Sequence, residues 1–406
     1  MRLGFGLLLA ALAHGQLLTP VWVELGDGGR AIARVVATRV EGCPAILVDG
    51  VDHPMTPRQP VPKGFLPACE FSLPAGAKSA LVNGQALSVP QPDPARIVVL
   101  GDTGCRIKGD RLQACNDSAK WPFKRVAEAA ASERPNLVID VGDYLYREDP
   151  CPAAAAAQCG GSLSGDHWEV WDADFFQPAA KLLEAAPWVF SRGNHENCQR
   201  AWIGWFYYLD PHEWTSVCQE APPPYTVQLG KFQLIAFDSS AVSEAQVQPE
   251  QRNAYSAELA SLHASHAWLV DHHPFFGIRP GDSGSPPVVQ TVTLQEAWDR
   301  AAPKGIDMIL SGHTHLFEAL SYGWARPVQI VAGEGGTSLA GGLPEAVNGL
   351  DVHGVIVASS ANQAQFGYVL LIKHRTGWNL KLKTPANHSI ARCQIRGREA
   401  SCKTVH

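Results

Sequence analysis

Seven side chains with oxygen or nitrogen donors stand in five short motifs along this chain. The motifs are Gly101-Asp102-Thr103-Gly104, Gly142-Asp143-Tyr144-Leu145-Tyr146, Gly193-Asn194-His195-Glu196, Leu269-Val270-Asp271-His272 and Gly312-His313-Thr314-His315. Asp102, Asp143, Tyr146, Asn194, His272, His313 and His315 are donors that suit hard or borderline cations, and there are enough of them for two ions. A single Gly-Asp after an apolar run is most simply a turn. The same strand, glycine and donor arrangement repeated several times is the signature of a metal centre.

Short buried strands are expected to place these donors. Ile97-Val98-Val99-Leu100 and Leu137-Val138-Ile139-Asp140-Val141 are almost wholly apolar and rich in β-branched residues, as in strands covered on both faces. Val189-Phe190 and Asp307-Met308-Ile309-Leu310 repeat that texture. A helix is expected over Trp121 to Ala131, and hairpins are expected over Thr226 to Phe237 and Gly367 to Lys383. Loops at the ends of such strands are where α/β proteins gather ligand sites, and a glycine beside each donor lets the backbone turn sharply towards a cation.

Residues 16–95 read differently, as short β-prone runs broken by Gly and Pro, and Val89-Pro90-Gln91-Pro92-Asp93-Pro94 reads as a stiff linker. Arg2 followed by the apolar stretch Leu3 to Leu12 reads as an export signal over residues 1–15, the alternative being an apolar first strand. The apolar run is about half the roughly 20 residues that a spanning helix needs. The ten cysteines fall into neighbouring couples: Cys43 with Cys69, Cys105 with Cys115, Cys151 with Cys159, Cys198 with Cys218, and Cys393 with Cys402. Five disulfides are expected, in an oxidising compartment, because no Cys-x-x-Cys supports the rival zinc reading. The net charge of −6 gives no general attraction to nucleic acid or to an anionic membrane, so neither is expected as a partner.

The five motifs and their order resemble those of the calcineurin-type metallophosphoesterases over residues 96–375. The spacing Asp143-x-x-Tyr146 is the mark of the purple acid phosphatases within that superfamily. This resemblance implies an α/β fold, a four-layer α/β/β/α metallophosphoesterase sandwich preceded by a small β-rich domain. The expected division is a signal peptide over 1–15, a β-sandwich-like domain over 16–95, the catalytic domain over 96–385 and a disulfide-tied tail over 386–406.

By the same resemblance Asp102, Tyr146 and His315 would hold the first metal, and Asp143 would bridge to a second held by Asn194, His272 and His313. Tyr146 implies Fe(III) at the first site, while the second could take Zn, Fe(II) or Mn. The implied activity is that of a secreted or periplasmic phosphohydrolase acting on small phosphorylated substrates. It would cleave phosphomonoesters by attack of a metal-bound hydroxide on phosphorus. His195, Asp143 and Asn194 are the expected catalytic groups, His195 contacting a phosphate oxygen or protonating the leaving group. Glu196 is expected to orient a histidine. In the His272-His273-Pro274 run, the family's His-x-Pro spacing selects His272 as the ligand. The alternatives are a metal-dependent phosphodiesterase acting on cyclic nucleotides or phospholipid head groups, and a degenerate, non-catalytic binding module. The presence of every ligand weighs against the last. Arg147 and Arg192, which flank motif residues, could meet phosphate, and the tryptophans and tyrosines around residues 168–208 could wall the cleft, with aromatic core as the plainer role of the latter.

Overall fold

A computed structural model describes residues 16–281 and 287–405. The expected export signal at 1–15 lies outside the described residues. No helix among those described is long and apolar enough to cross a membrane.

Two sheets stack face to face, with helices on both outer sides. The first has eleven strands, and at its centre Arg96–Leu100, Leu137–Asp140 and Trp188–Phe190 run parallel. On one flank, Tyr368–His374, Gly377–Lys383, Ser389–Arg396 and Glu399–Thr404 follow as antiparallel neighbours. On the other, Trp22–Leu25 pairs parallel with Trp188–Phe190 and is followed by Ala31–Val36, Ala68–Ser72 and Thr56–Pro57. The second sheet has seven strands, with Phe232–Ala236, Ala267–Val270, Ile306–Ser311 and Val328–Ala332 parallel at its heart.

The wholly apolar strands are explained by what lies on each face. Ile97, Val99 and Ile139 point into the space between the sheets, where they meet Leu234, Val270 and Leu310. Their neighbours Val98, Leu100 and Val138 point outward, onto Val126 and Ala130 of the helix Phe123–Ser132 and Leu182 of the helix Gln177–Ala185. On the far side Leu269 and Ile309 meet Leu259 of Pro249–Ser261 and Leu294 of Val292–Ala301. Each fully buried aliphatic side chain contributes about 1.5–3 kcal/mol. The three apolar layers therefore hold the strand ends in register far more firmly than any single polar contact.

All five expected disulfides are present, each joining sequence-neighbouring cysteines. The expected hairpins form as Tyr225–Leu229 with Phe232–Ala236 and Tyr368–His374 with Gly377–Lys383. The helix expected over Trp121 to Ala131 begins at Phe123, one residue after Pro122, and ends at Ser132.

Candidate metal centre

The five motifs converge where the parallel strands of both sheets end. Asp102 and Asp143 follow two adjacent parallel strands, and the loops are laced together: the Asp102 amide donates to the Gly142 carbonyl at 2.9 Å, and that of Thr103 donates to Asp143 at 3.0 Å. His313 arrives from the second sheet, its amide donating to Asp102 Oδ2 at 2.9 Å. Asp102, Asp143 and His313 all adopt left-handed backbone conformations, with φ of 54°, 64° and 69°. Such conformations are costly for residues with a Cβ and persist where the surroundings over-determine them, as at functional sites. Gly193 is required by close approach, since a Cβ there would lie 2.0 Å from Asp143 Oδ1.

Tyr146 is the hub of the first donor group. Its Oη lies 2.7 Å from Asp102 Oδ1, 2.8 Å from Asp143 Oδ2 and 3.0 Å from His315 Nε2. One phenolic proton faces three acceptors. Burial, and then the carboxylates of Asp102 and Asp143, push the phenol well above its ordinary pKa. Only a cation among these four groups would favour the phenolate. His315 Nδ1 meets the Ser338 carbonyl at 2.9 Å, a contact that places the proton on Nδ1 and leaves Nε2 as a donor towards the cluster.

A second group shares Asp143. Its Oδ2 lies 3.2 Å from His272 Nε2, and Asn194 Oδ1 lies 3.1 Å from that nitrogen and 3.2 Å from His313 Nδ1. The outer ring nitrogens are occupied, His272 Nδ1 by the Val141 carbonyl at 2.8 Å and His313 Nε2 by Glu244 at 2.9 Å. With a cation bound, both protons would sit on the outside and four lone-pair atoms would face it. Turned about, the Asn194 amide would donate into this cluster and accept from Arg200 at 2.9 Å. A cation selects the orientation with its oxygen inward. Against the effect of burial, His272 and then His195 hold the Asp143 carboxyl well below the usual carboxylate range, and Asp143 raises His272 in return. The donor chemistry of both groups fits two metal ions.

His272, not its neighbour, faces the shared aspartate. His273 points away, its Nε2 4.0 Å from Glu244 Oε1, and burial with the nearby His313 and His272 keeps it neutral. His195 caps the other side of the centre. Its Nε2 is 3.8 Å from Asp143 Oδ2, while Nδ1 contacts Glu148 Oε1 at 2.8 Å and the Leu145 carbonyl at 3.1 Å. Glu148 also pairs with Lys108 at 2.9 Å and with Arg200. Although burial works the other way, hydrogen bonds from His195, Arg200 and Lys108 keep Glu148 ionised far into acid.

Glu196 departs from expectation. It orients no histidine, but accepts the backbone amides of Asp143, Tyr144, Leu145 and Gly193 at 2.9–3.2 Å. Its carboxylate therefore shapes the loop that carries the shared aspartate. Asp174, in the π-helical turn Asp172–Phe176, does the same for Cys105, Tyr146 and Arg147.

The flanking arginines and the aromatic residues take structural roles. Arg147 pairs with buried Asp174 at 2.5 Å, and Arg192 pairs with Asp238 at 2.7 Å. Trp168, Trp171, Trp205, Tyr207 and Tyr208 are buried core between the first sheet and its helices. A cavity of about 720 Å³ opens beside the centre, with His313 and His315 in its wall, and residues 147–165, which follow Tyr146, do not line it. Glu148, Asp174, Glu244, Arg106 and Arg200 carry no motif of their own. Glu148, two residues after Tyr146, and Arg106, two residues after Gly104, lay close enough to a motif to be found from sequence.

Solved structures share this architecture at low identity. A purple acid phosphatase, PPD1, from yellow lupin (Lupinus luteus) seeds is similar at a TM-score of 0.59 and 13% identity, over 96% of this chain and 74% of its own. PhoD is similar at 0.54 and 12%, over 95% and 92%. No curated protein matches the sequence. The profile of the calcineurin-like phosphoesterases, by contrast, matches residues 95–317, more than half of the chain and the stretch that holds every one of the seven donors. This chain belongs to the calcineurin-like phosphoesterases and is a metallophosphoesterase, a hydrolase of phosphoesters.

Proposed function

We infer that the chain is an exported phosphomonoesterase of the purple acid phosphatase type, working with two metal ions. The observation that carries this reading is Tyr146 Oη, within hydrogen-bonding distance of Asp102, Asp143 and His315 together. Asp102, Tyr146 and His315 would hold the first ion, Asn194, His272 and His313 the second, and Asp143 both. The phenol supports Fe(III) at the first position, and the mixed nitrogen and oxygen set of the second suits Zn, Fe(II) or Mn. Two such ions, when bound, polarise a phosphoryl oxygen and make water available as a nucleophile.

The chain's own residues supply the rest. Asp143 and Asn194 fix where the phosphoryl group can sit. His195, steadied at Nδ1 by Glu148, presents Nε2 on the side of Asp143, where it can hydrogen-bond a phosphoryl oxygen or give a proton to the leaving oxygen. Such proton transfer is worth roughly 10²–10⁴ in rate. Arg106, with Nη2 3.4 Å from His315 Nε2 and its guanidinium 4.9 Å from the Tyr146 ring centre, supplies positive charge against the oxygens that become more negative during transfer. Five disulfides support an oxidising, extracytoplasmic setting.

The test is metal content and visible absorbance of the purified protein beside Tyr146→Phe, with p-nitrophenyl phosphate and its bis ester as substrates. Bound iron, a violet band lost in the variant and faster hydrolysis of the monoester are expected. A colourless dizinc or dimanganese protein that prefers the diester would replace this reading with the phosphodiesterase alternative.

A further inference from the structure

The cavity beside the metal centre continues into a second one. This neighbour has a volume of about 480 Å³, and Leu112, Ser338 and Leu339 stand in the walls of both. The character of the wall changes along the way. At the metal end it carries His313, His315 and Arg106. Further out, half-buried Leu112 and Leu339 are joined by Ala114 and Phe366. Gln113 stands there too, but its amide is spent inward: it donates to the Lys120 and Gly336 carbonyls at 2.7 and 2.9 Å and accepts from the Arg106 amide at 3.1 Å. The charged residues of the second wall are one of each sign, exposed Asp117 and Lys120.

The two leucines shared by both walls are fixed to residues of the metal centre. Leu112 pairs with Ile107 in the small hairpin Ile107–Lys108 with Arg111–Leu112, and the Ile107 amide donates to the Tyr146 carbonyl at 3.0 Å. The Cys105–Cys115 disulfide closes the loop that carries this hairpin. Leu339 lies between two contacts with His315: the Ser338 carbonyl meets its Nδ1 at 2.9 Å, and the Ala340 amide donates to its carbonyl at 2.8 Å. An apolar surface held open in this way is stabilised only when something apolar covers it. With a phosphoryl group held at the metal end, the part of a substrate that reaches these side chains is its organic group. The opposed charges of Asp117 and Lys120 give no net attraction for a further ionised group.

We propose that the substrate is a phosphate monoester of an extended alkyl alcohol, whose chain lies over Leu112 and Leu339 and ends beside Phe366 while its phosphate is hydrolysed at the metal centre. This rests on the phosphomonoesterase reading and narrows its substrate class to amphiphilic monoesters. The chain is remote from the reacting atoms, so its burial steadies the scissile phosphate and appears in kcat/KM.

The experiment measures kcat/KM for n-alkyl phosphates from methyl to decyl with the metal-loaded full chain, at concentrations below those at which micelles form. A rise of about two- to fourfold per methylene is expected over the first several carbons, the scale of a half-buried to fully buried methylene, before it levels off. Leu339→Ser and Phe366→Ser should each flatten that rise, with metal content and circular dichroism unchanged. A flat series in the wild type, or a rise that survives in both variants, overturns the proposal while the monoesterase reading stands. If the loaded protein hydrolyses no monoester, the monoesterase reading fails, and calorimetry with n-alkylphosphonates from methyl to decyl shows whether the chain binds. Affinity that grows with chain length and loses that growth in the variants supports the proposal, and affinity independent of length overturns it.

Discussion

Glu148 Oε1 lies 2.8 Å from Nδ1 of His195, and the same carboxylate is held by Lys108 and Arg200. A histidine that must hydrogen-bond a phosphoryl oxygen through Nε2 needs its other nitrogen occupied, because that partner fixes both the ring's orientation and its tautomer. Glu148→Ala should therefore lower kcat by about 10–100-fold, with both metals retained. Glu148→Gln keeps an acceptor oxygen and should recover part of the loss. Equal kcat in wild type and Glu148→Ala would remove Glu148 from the catalytic apparatus.

Glu244 plays the corresponding part behind His313, accepting from Nε2 at 2.9 Å so that Nδ1 faces Asn194 and Asp143. Glu244→Gln should weaken one of the two metal equivalents by about 10–100-fold and leave the other unaffected. Competitive metal titration reads this directly, without any assay of activity. If both equivalents weakened together, the division of the donors into two groups sharing Asp143 would be wrong.

How much of this could be read in the chain depends on how local each feature is. Asp102, Asp143 and His313 each follow an apolar strand and lie next to glycine, so their motifs announce themselves within a few residues. Cys105 and Cys115 are near enough in sequence to be paired by eye. Glu244 and Asp174, by contrast, reach the centre only through tertiary packing, 69 and 28 positions from His313 and Tyr146. A lone carboxylate in a loop or a helix has no periodicity to betray it. Glu196 was visible, but its partners were misjudged, since backbone amides leave no mark in sequence. The parallel pairing of Glu24 with Trp188, which joins the first strand to the central sheet, is equally silent, because register between distant strands is set by the packed core. The last described residues showed only a short disulfide loop in sequence, yet they form two strands that extend the first sheet.

Asp174 should matter more to folding than to chemistry. Its carboxylate is fully buried, accepts the amides of Cys105, Tyr146 and Arg147, and meets Arg147 Nε at 2.5 Å. Asp174→Asn keeps the shape but leaves the Arg147 guanidinium without its counter-charge, and breaking a buried pair from one side costs about 3–5 kcal/mol. Adding Arg147→Gln to that variant should restore part of the loss, because the stranded charge is then gone. Denaturant unfolding of the two single variants and the double variant measures the coupling, and strictly additive losses would deny it.

Glu70 offers a test against pH, away from the metals. It accepts from Arg34 at 2.9 Å and Arg58 at 2.8 Å, and these arginines also donate to the Tyr208, Phe206 and His212 carbonyls, tying the first strands to the segment 205–212. Burial alone would raise its carboxyl, but Arg34 and then Arg58 hold it below the ordinary value of 4.5. A carboxyl depressed in the folded state binds its proton more readily when unfolded. Its contribution is therefore complete above the ordinary value and disappears as pH falls through the folded one. Glu70→Gln should be less stable than wild type at neutral pH by on the order of 2 kcal/mol, the scale of hydrogen bonds to a charged group. The difference should shrink steadily once the pH drops below 4.5. Unfolding midpoints of both proteins across that range provide the measurement, and a gap that stayed constant with pH would show that the Glu70 charge does not anchor these strands.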